Sequence, residues 1–320
     1  MKDKTSPKCP FCDSSILLDN VARNFAFKDS HSISFCTACE LYFFSKMPSK
    51  FYLENYYSKE YFSEFDNSFL RYWSKSWLAN IRATNQYKFI LENLKANTKN
   101  SSILECGSSD GTFLNQFKKN GWSVKGLEFS LSMTRRAKKR FNIDLESLDI
   151  MEISPKNGLF DVIALPHVLE HMLDPVSIIR HCITLLKPNG IIFVEFPYSP
   201  LPSEVSSDML NDYSDSTHIY NFRIKSSEKL VNLSNSNMNS LDRYFYNLPF
   251  LSSAKSFMVS EILMKGYIGK NKFISLIYLF YGLVLININH FLFRSGTHQI
   301  DINESWKGFG DNIRIIISNN

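Results

Sequence analysis

The stretch Ile103-Leu104-Glu105-Cys106-Gly107-Ser108-Ser109-Asp110-Gly111 constrains the fold of this chain more than any other. Apolar residues and one acid run straight into a short polar turn bearing two glycines. Thr112 to Phe117 then places apolar residues at helical spacing. A strand that ends in a tight glycine turn and opens a helix is the local geometry of a nucleotide crevice at the carboxyl end of a parallel strand. The same shape also serves purely structural loops, so its meaning rests on the rest of the chain.

Downstream of this turn, strand and helix alternate. Trp122–Glu128 reads as a second strand ending on an acid, and Leu131–Phe141 as a basic helix. Ile143–Leu148 reads as a weak third strand ending at Asp149, and Phe160–Leu165 as a buried fourth. Pro175–Lys187 reads as a helix with proline in its first turn. The turn Pro188-Asn189-Gly190 then leads into a fifth strand, Ile191–Phe196. Strands in alternation with helices predict an α/β fold: a doubly wound, Rossmann-like sheet with ligands at the carboxyl ends of its strands. Upstream, Leu70, Trp73, Trp77 and Ile81, then Tyr87, Ile90, Leu91 and Leu94, predict one amphipathic helix over 68–96.

Two Cys-x-x-Cys knuckles, Cys9-Pro10-Phe11-Cys12 and Cys36-Thr37-Ala38-Cys39, open the chain. Disulfides or a redox pair are the competing readings. The doubled spacing, and a start without a charged and apolar leader, favour a structural zinc ribbon. Cys9, Cys12, Cys36 and Cys39 would fill the coordination sphere of Zn2+, and a cytoplasmic setting with reduced thiols is expected. Between them, Phe25–Phe27 and Ser32–Phe35 alternate as small strands. The aromatic run from Leu41 to Phe65 is expected to pack the ribbon against the next domain. The chain thus divides into a ribbon at 1–45, an aromatic linker and helix at 46–100, and the α/β domain at 101–320.

Composition narrows the partners. A net charge of +5 spread over 320 residues does not call for a nucleic acid, and few cations stand beside the ribbon's aromatics. Arg135, Arg136, Lys138, Lys139 and Arg140 read as a solvated helix face. Abundant Phe (27) and Tyr (15) against 12 Gly argue against disorder.

The ligand is read from two acids and one turn. Glu128, at the end of the second strand, suits vicinal ribose hydroxyls, which fits NAD and S-adenosylmethionine equally. A dinucleotide turn needs Gly-x-Gly-x-x-Gly to seat a pyrophosphate on the helix N-terminus. Here only Gly107 and Gly111 stand, and Asp110 suits an ammonium better than a diphosphate.

These residues resemble the class I S-adenosylmethionine-dependent methyltransferases, of the bacterial kind with an N-terminal zinc ribbon. Ile103–Leu114 matches the family's first motif and Leu127–Ser130 its second. Leu148-Asp149-Ile150 matches the position that meets adenine. Phe160–Ile163 followed by His167-Val168-Leu169-Glu170-His171 matches the fourth motif, Leu185–Gly190 the turn before the fifth strand, and Gly308–Ser318 the closing strand. Ser109 stands where many relatives carry glycine.

The resemblance implies that Glu105, Gly107, Ser108, Asp110 and Gly111 surround the methionine part. It gives the ribose hydroxyls to Glu128 and the adenine amine to Asp149 and Ile150, with Phe129 and Pro166 also among the cofactor-binding residues. It implies methyl transfer to a small acceptor, a nucleotide-sugar, glycan or lipid-linked saccharide, with His218, His167 and His171 as candidate bases. Asp215–Tyr220 resembles the family's approach to the substrate, and the long loop 197–217 is expected to set acceptor specificity. An RNA methyltransferase and a non-catalytic cofactor-binding module are the alternatives.

The uncharged run 273–293 is long enough to span a bilayer. Asn287, Asn289 and His290 within it, and the closing strand beyond it, favour a packed or homodimer-forming helix. Peripheral membrane contact is the next reading.

Overall fold

The computed structural model describes residues 8–15, 17–24, 31–56, 69–95, 100–204, 217–245, 298–300 and 311–319. The apolar run 273–293 and residues 205–216 of the expected substrate loop lie outside these. Among the described residues no helix is long and apolar enough to cross a membrane.

The centre is a parallel array formed by β4 (Ser102–Cys106), β5 (Ser123–Leu127), β6 (Phe160–Pro166) and β7 (Leu186–Pro197). β4 pairs with β5 and β6, and β6 with β7, all in parallel. On the far side of β7 the sheet continues antiparallel through β11 (Asp311–Ser318), β9 (Asn237–Phe245) and β10 (His298–Ile300). The expected closing strand is therefore present, inserted between β7 and β9.

Side chains alternate across a strand, so each apolar run feeds two cores. Leu104, Ile163, Leu165, Ile192 and Val194 enter one core together with Ile178, Ile179 and Cys182 of α5 (Pro175–Thr184). Ile103, Val162, Ala164, Ile191 and Phe193 enter the other. That second core is closed by α2 (Phe69–Asn93) through Phe89 and Ile90, and by α3 (Thr112–Lys119) through Phe113 and Phe117. Burial on both faces is why these strands read as continuous Val/Ile/Leu runs.

Two expectations are corrected. The third strand at Ile143–Leu148 is reduced to a single parallel bridge between Glu146 and Leu127. Asp144, Glu146 and Ser147 leave too little apolar surface for a strand there, and Lys125 pairs with Glu146 along this edge. The helix expected to reach Lys187 ends at Thr184, because Leu186 already pairs with Phe160. Pro188-Asn189-Gly190 sits in the register shift after that pair, with Asn189 left-handed at φ 64°. α4 (Leu131–Phe141) succeeds β5 as read.

The ribbon is a sheet of β1 (Leu17–Asn24), β2 (His31–Cys36) and β3 (Leu41–Phe44), extended by β8 (Tyr220–Asn221). The short α1 (Lys50–Asn55) comes after β3, capped by Ser49, whose Oγ accepts from Tyr52 N at 3.2 Å. β8 belongs to the segment after the substrate loop and leads into α6 (Ile224–Leu233). Tyr42 and Phe43 pair with Asn221 and Tyr220, so the aromatics expected to pack between lobes do so as a strand.

Gly126 on β5 has no room for a side chain: an added Cβ would lie 2.5 Å from Leu145 and Ser108 Oγ and 2.6 Å from Leu114. Gly126→Ala is expected to cost about 1–3 kcal/mol by overpacking. Calorimetry should show a melting temperature lower by several degrees, and an unchanged value would mean the β5 edge is looser than described.

Candidate functional site

At the carboxyl end of β4 the chain turns sharply. Gly107 (φ 69°) and Gly111 (φ 76°) are left-handed, and a Cβ on Gly107 would come within 2.9 Å of Val168. Ser109 is left-handed too (φ 46°), so it adopts the conformation that glycine favours. The turn is tied to β5 by Glu128, whose Oε2 accepts from Ser109 N (2.8 Å) and Oε1 from Ser130 N (2.8 Å). Glu105 is buried beneath the turn, and its Oε2 has no hydrogen-bond partner. Burial pushes its carboxyl well above the usual range, and Glu128 and Asp110 push it further the same way.

Asp110 is corrected. Its carboxylate is held by Arg140 and by Thr112, whose hydroxyl donates at 2.6 Å, so it fastens α4 to α3 and is already engaged by a cation of the chain itself. Asp149 caps a short 3-10 turn at Ile150–Glu152, accepting from Met151 N at 3.0 Å, with Lys50 Nζ at 3.5 Å. Ile150 is buried beside it, while Phe129, Leu148 and Met151 are exposed apolar residues along the β5 edge. The group that the resemblance implies is tested by these features. A buried acid lacking a cation, a turn with no room for a Cβ at Gly107, and exposed apolar residues are what an ammonium-bearing nucleoside with a flat base would satisfy.

The second half of the crevice lies past β6. Pro166 ends that strand, and His167 is left-handed (φ 55°) with its N–H donating to Glu195 O at 2.6 Å. The His167 ring lies between two buried acids, Nε2 at 2.9 Å from Glu195 Oε1 and Nδ1 at 3.4 Å from Glu170 Oε1. Burial alone would lower its pKa; the two carboxylates outweigh burial and raise it. A ring braced on both sides by buried carboxylates is held in place by them, so His167 differs in setting from the other two expected bases. Gln86 of α2 donates to the same Glu195 oxygen at 2.9 Å.

His171 and His218 meet edge to face, ring centroids 4.8 Å apart. His171 Nδ1 lies 3.1 Å from the Thr217 carbonyl, and His218 Nδ1 3.3 Å from Asn221 Oδ1. Oxygens of this kind accept only, so each Nδ1 carries the proton and each Nε2 the lone pair. Burial lowers the pKa of His171, and pushes that of His218 down to about 4. Glu170 lies between the three rings. Burial would raise its carboxyl, but His167, His171 and His218 hold it at about 2. Of the three expected histidines, the structure joins two as neutral imidazoles and sets the third apart.

The four knuckle cysteines converge, their sulfurs within 4.8 Å of one another and none in a disulfide. Cys9 Sγ is 3.5 Å from Cys39 Sγ, and Cys12 Sγ 3.5 Å from Cys36 Sγ. Asp13 and Glu40, the residues after each knuckle, are both left-handed (φ 55° and 56°), so the two turns are alike. A tetrahedron of thiolates is the donor set and spacing that structural zinc takes.

Gln86, Asn221 and Glu170 are site residues that the sequence does not single out. Glu170 carries a signal, an acid with histidine at the next position and three before. Gln86 and Asn221 carry none, because only the tertiary fold brings them to the histidines.

Residues 77–238, half of the chain, match the family described as "Methyltransferase domain". Among curated proteins, a ubiquinone biosynthesis O-methyltransferase of Coxiella burnetii is 31% identical over 100 residues, 30% of this chain and 43% of that protein. That of Histophilus somni is 32% identical over 101 residues, 28% of this chain and 42% of that protein. The match thus spans less than half the length of these relatives. Among solved structures, the magnesium protoporphyrin IX methyltransferase of Synechocystis with bound SAH aligns at 12% identity and TM-score 0.46, over 61% of this chain and 93% of that one. By its matched domain and its α/β sheet, the chain belongs to the methyltransferase-domain family.

Proposed function

We propose that this protein transfers the methyl group of S-adenosylmethionine to a hydroxyl of a small polar acceptor, a nucleotide-sugar, glycan or lipid-linked saccharide. One observation carries the cofactor half: the buried Glu105 at the end of β4, whose Oε2 has no hydrogen-bond partner and which has no cation beside it among the described residues. Glu105 receives the methionine ammonium above the Gly107 turn. The lone pairs that Glu128 keeps beyond its two backbone bonds receive the ribose hydroxyls, and Phe129 and Ile150 flank the base. When bound, the cofactor supplies the electrophilic sulfonium methyl, and the chain's own residues align the reactants and manage the acceptor proton.

The acceptor half rests on the His171–His218 pair. Two imidazoles whose protons are fixed at Nδ1 leave basic nitrogens at the mouth of the crevice. A polar wall of this kind suits an aliphatic or sugar hydroxyl. The relatives named for ubiquinone biosynthesis support a second reading, a phenolic hydroxyl on a quinone precursor. The ribbon holds one structural Zn2+ on Cys9, Cys12, Cys36 and Cys39 in either case.

Calorimetric titration with S-adenosylmethionine is expected to show binding that weakens at least tenfold in Glu128→Ala; binding of NAD alone would overturn the reading. His218→Ala should keep cofactor affinity and lose methyl transfer, and full turnover would remove it from the acceptor wall. Mass spectrometry of products from nucleotide-sugar and catechol panels separates the two acceptor readings.

Glu105 also gives a pH signature. Its folded pKa is raised above its unfolded value, so its cost to folding is absent where both states are protonated. Stability is then lost as pH climbs through the ordinary carboxylate range toward the raised value. Glu105→Gln removes that loss. Its melting temperature relative to wild type should rise from about pH 4 to about pH 8, while its cofactor binding falls. A flat difference across that range would mean the carboxyl is already balanced by a partner.

A further inference from the structure

Glu170 stands apart from the other crevice acids. It is 1% exposed, and neither carboxylate oxygen has a hydrogen-bond partner. His167 Nδ1 stays 3.4 Å from its Oε1, and the other nitrogen of that ring is 2.9 Å from Glu195. A buried carboxylate with bare oxygens is costly unless a ligand or partner satisfies it.

The neighbours are arranged in a particular way. His171 and His218 each donate from Nδ1 to an oxygen, so the nitrogen that carries the lone pair is Nε2 in both. An imidazole oriented by an Nδ1–H bond to a carbonyl, with Nε2 as the donor atom, is how histidine ligates metal ions. One ligand atom from each of Glu170, His171 and His218 can be chosen so that all lie within 4.8 Å of one another. The backbone fixes the elements that bring them together, because Ile219 N donates to Glu170 O at 2.8 Å. Glu170 forms the floor, and the two half-buried rings form a rim through which an ion can enter.

We propose that Glu170, His171 and His218 form a second metal site, distinct from the four cysteines, for one divalent ion of the zinc class. Two imidazoles and one carboxylate suit zinc and its first-row neighbours; calcium and magnesium call for oxygen cages instead. Three protein ligands leave a coordination position open, as in catalytic zinc sites. Ligand distances of about 2.0–2.2 Å require the three ligand atoms, now within 4.8 Å of one another, to draw closer around the ion. The site's use rests on the hydroxyl-acceptor reading: an ion held there would offer its open position to the acceptor oxygen and lower its pKa, so that the hydroxyl proton is released to solvent while His171 and His218 hold the ion. Occupancy of the site does not depend on that reading.

The test is a metal count on the full-length chain, dialysed against zinc and then metal-free buffer, with no cofactor or acceptor present. Wild type is expected to hold two zinc ions per chain, and His218→Ala and Glu170→Gln one each. Cobalt substitution assigns them: a thiolate-to-cobalt charge-transfer band persists in all three proteins, while the weaker bands of a nitrogen and oxygen site vanish in both variants. His218→Ala, at the half-exposed rim, serves where Glu170→Gln disturbs folding, and thermal melts check both. A single thiolate-bound ion in wild type, or equal metal content in wild type and His218→Ala, would overturn the proposal. Titration with S-adenosylmethionine on the same samples reads the methyltransferase assignment separately.

Discussion

Ile219 joins the ribbon to the crevice through its two backbone groups. Its N–H donates to the carbonyl of Glu170 at 2.8 Å, and its own carbonyl accepts from Phe44 N of β3 at 3.1 Å. A strand of the ribbon and the turn after β6 are thereby bridged by one residue, and the side chain before it is His218. Where the imidazole pair sits is decided by whether β3 holds β8 in place.

The remaining contacts around that bridge act in the same sense. Phe11, inside the first knuckle, packs on Tyr220 and Phe222 with ring centroids 5.6 and 6.1 Å away. Glu40, directly after the second knuckle, accepts from Arg223 Nε at 2.9 Å, and Arg223 also donates to Ser199 O at 2.7 Å. Tyr42 donates to Pro200 O at 2.7 Å, tying β3 to the chain just after β7. Both knuckles therefore touch the segment that carries His218. A ribbon built this way is a wall of the site, and its folding is coupled to the site's geometry. The β3–β8 ladder is only two residue pairs long, so this coupling runs through packing as much as through the ladder.

The parts legible in the sequence are those in which one local pattern suffices. β4, its turn and α3 are readable because apolar run, glycines and helical spacing stand directly one after another. The knuckles are readable from cysteine spacing. The parts that are not legible depend on residues far apart in the chain. β8 is two residues long and pairs with a strand well over a hundred positions earlier, so no periodicity announces it. Asp110 looks like an open acceptor beside a glycine turn, and only the fold shows Arg140 arriving from α4. His167 looks interchangeable with His171 and His218, and what separates it is Glu195 on the neighbouring strand β7. At Ile143–Leu148 a short alternation is too weakly apolar to hold a strand against solvent.

Among the described residues the buried acids are Glu105, Glu128, Glu170 and Glu195, and none serves the packing of a core. All stand at or just beyond the carboxyl ends of the adjacent parallel strands β5, β4, β6 and β7. Burying a carboxylate is unfavourable by several kcal/mol unless something compensates it, so this concentration has to answer to a ligand or a partner. The two pairs are compensated differently. Glu170 and Glu195 share His167, and the imidazoles beside Glu170 hold its carboxyl low. Glu105 and Glu128 have backbone amides and hydroxyls nearby but no cation among the groups that shift them, and both are pushed up. The crevice is thus divided along its length: one end is short of positive charge, and the other has imidazoles beside its acids. In the reading proposed above, a cofactor with an ammonium and a sulfonium suits the first end, and the acceptor the second, where imidazoles border a buried acid.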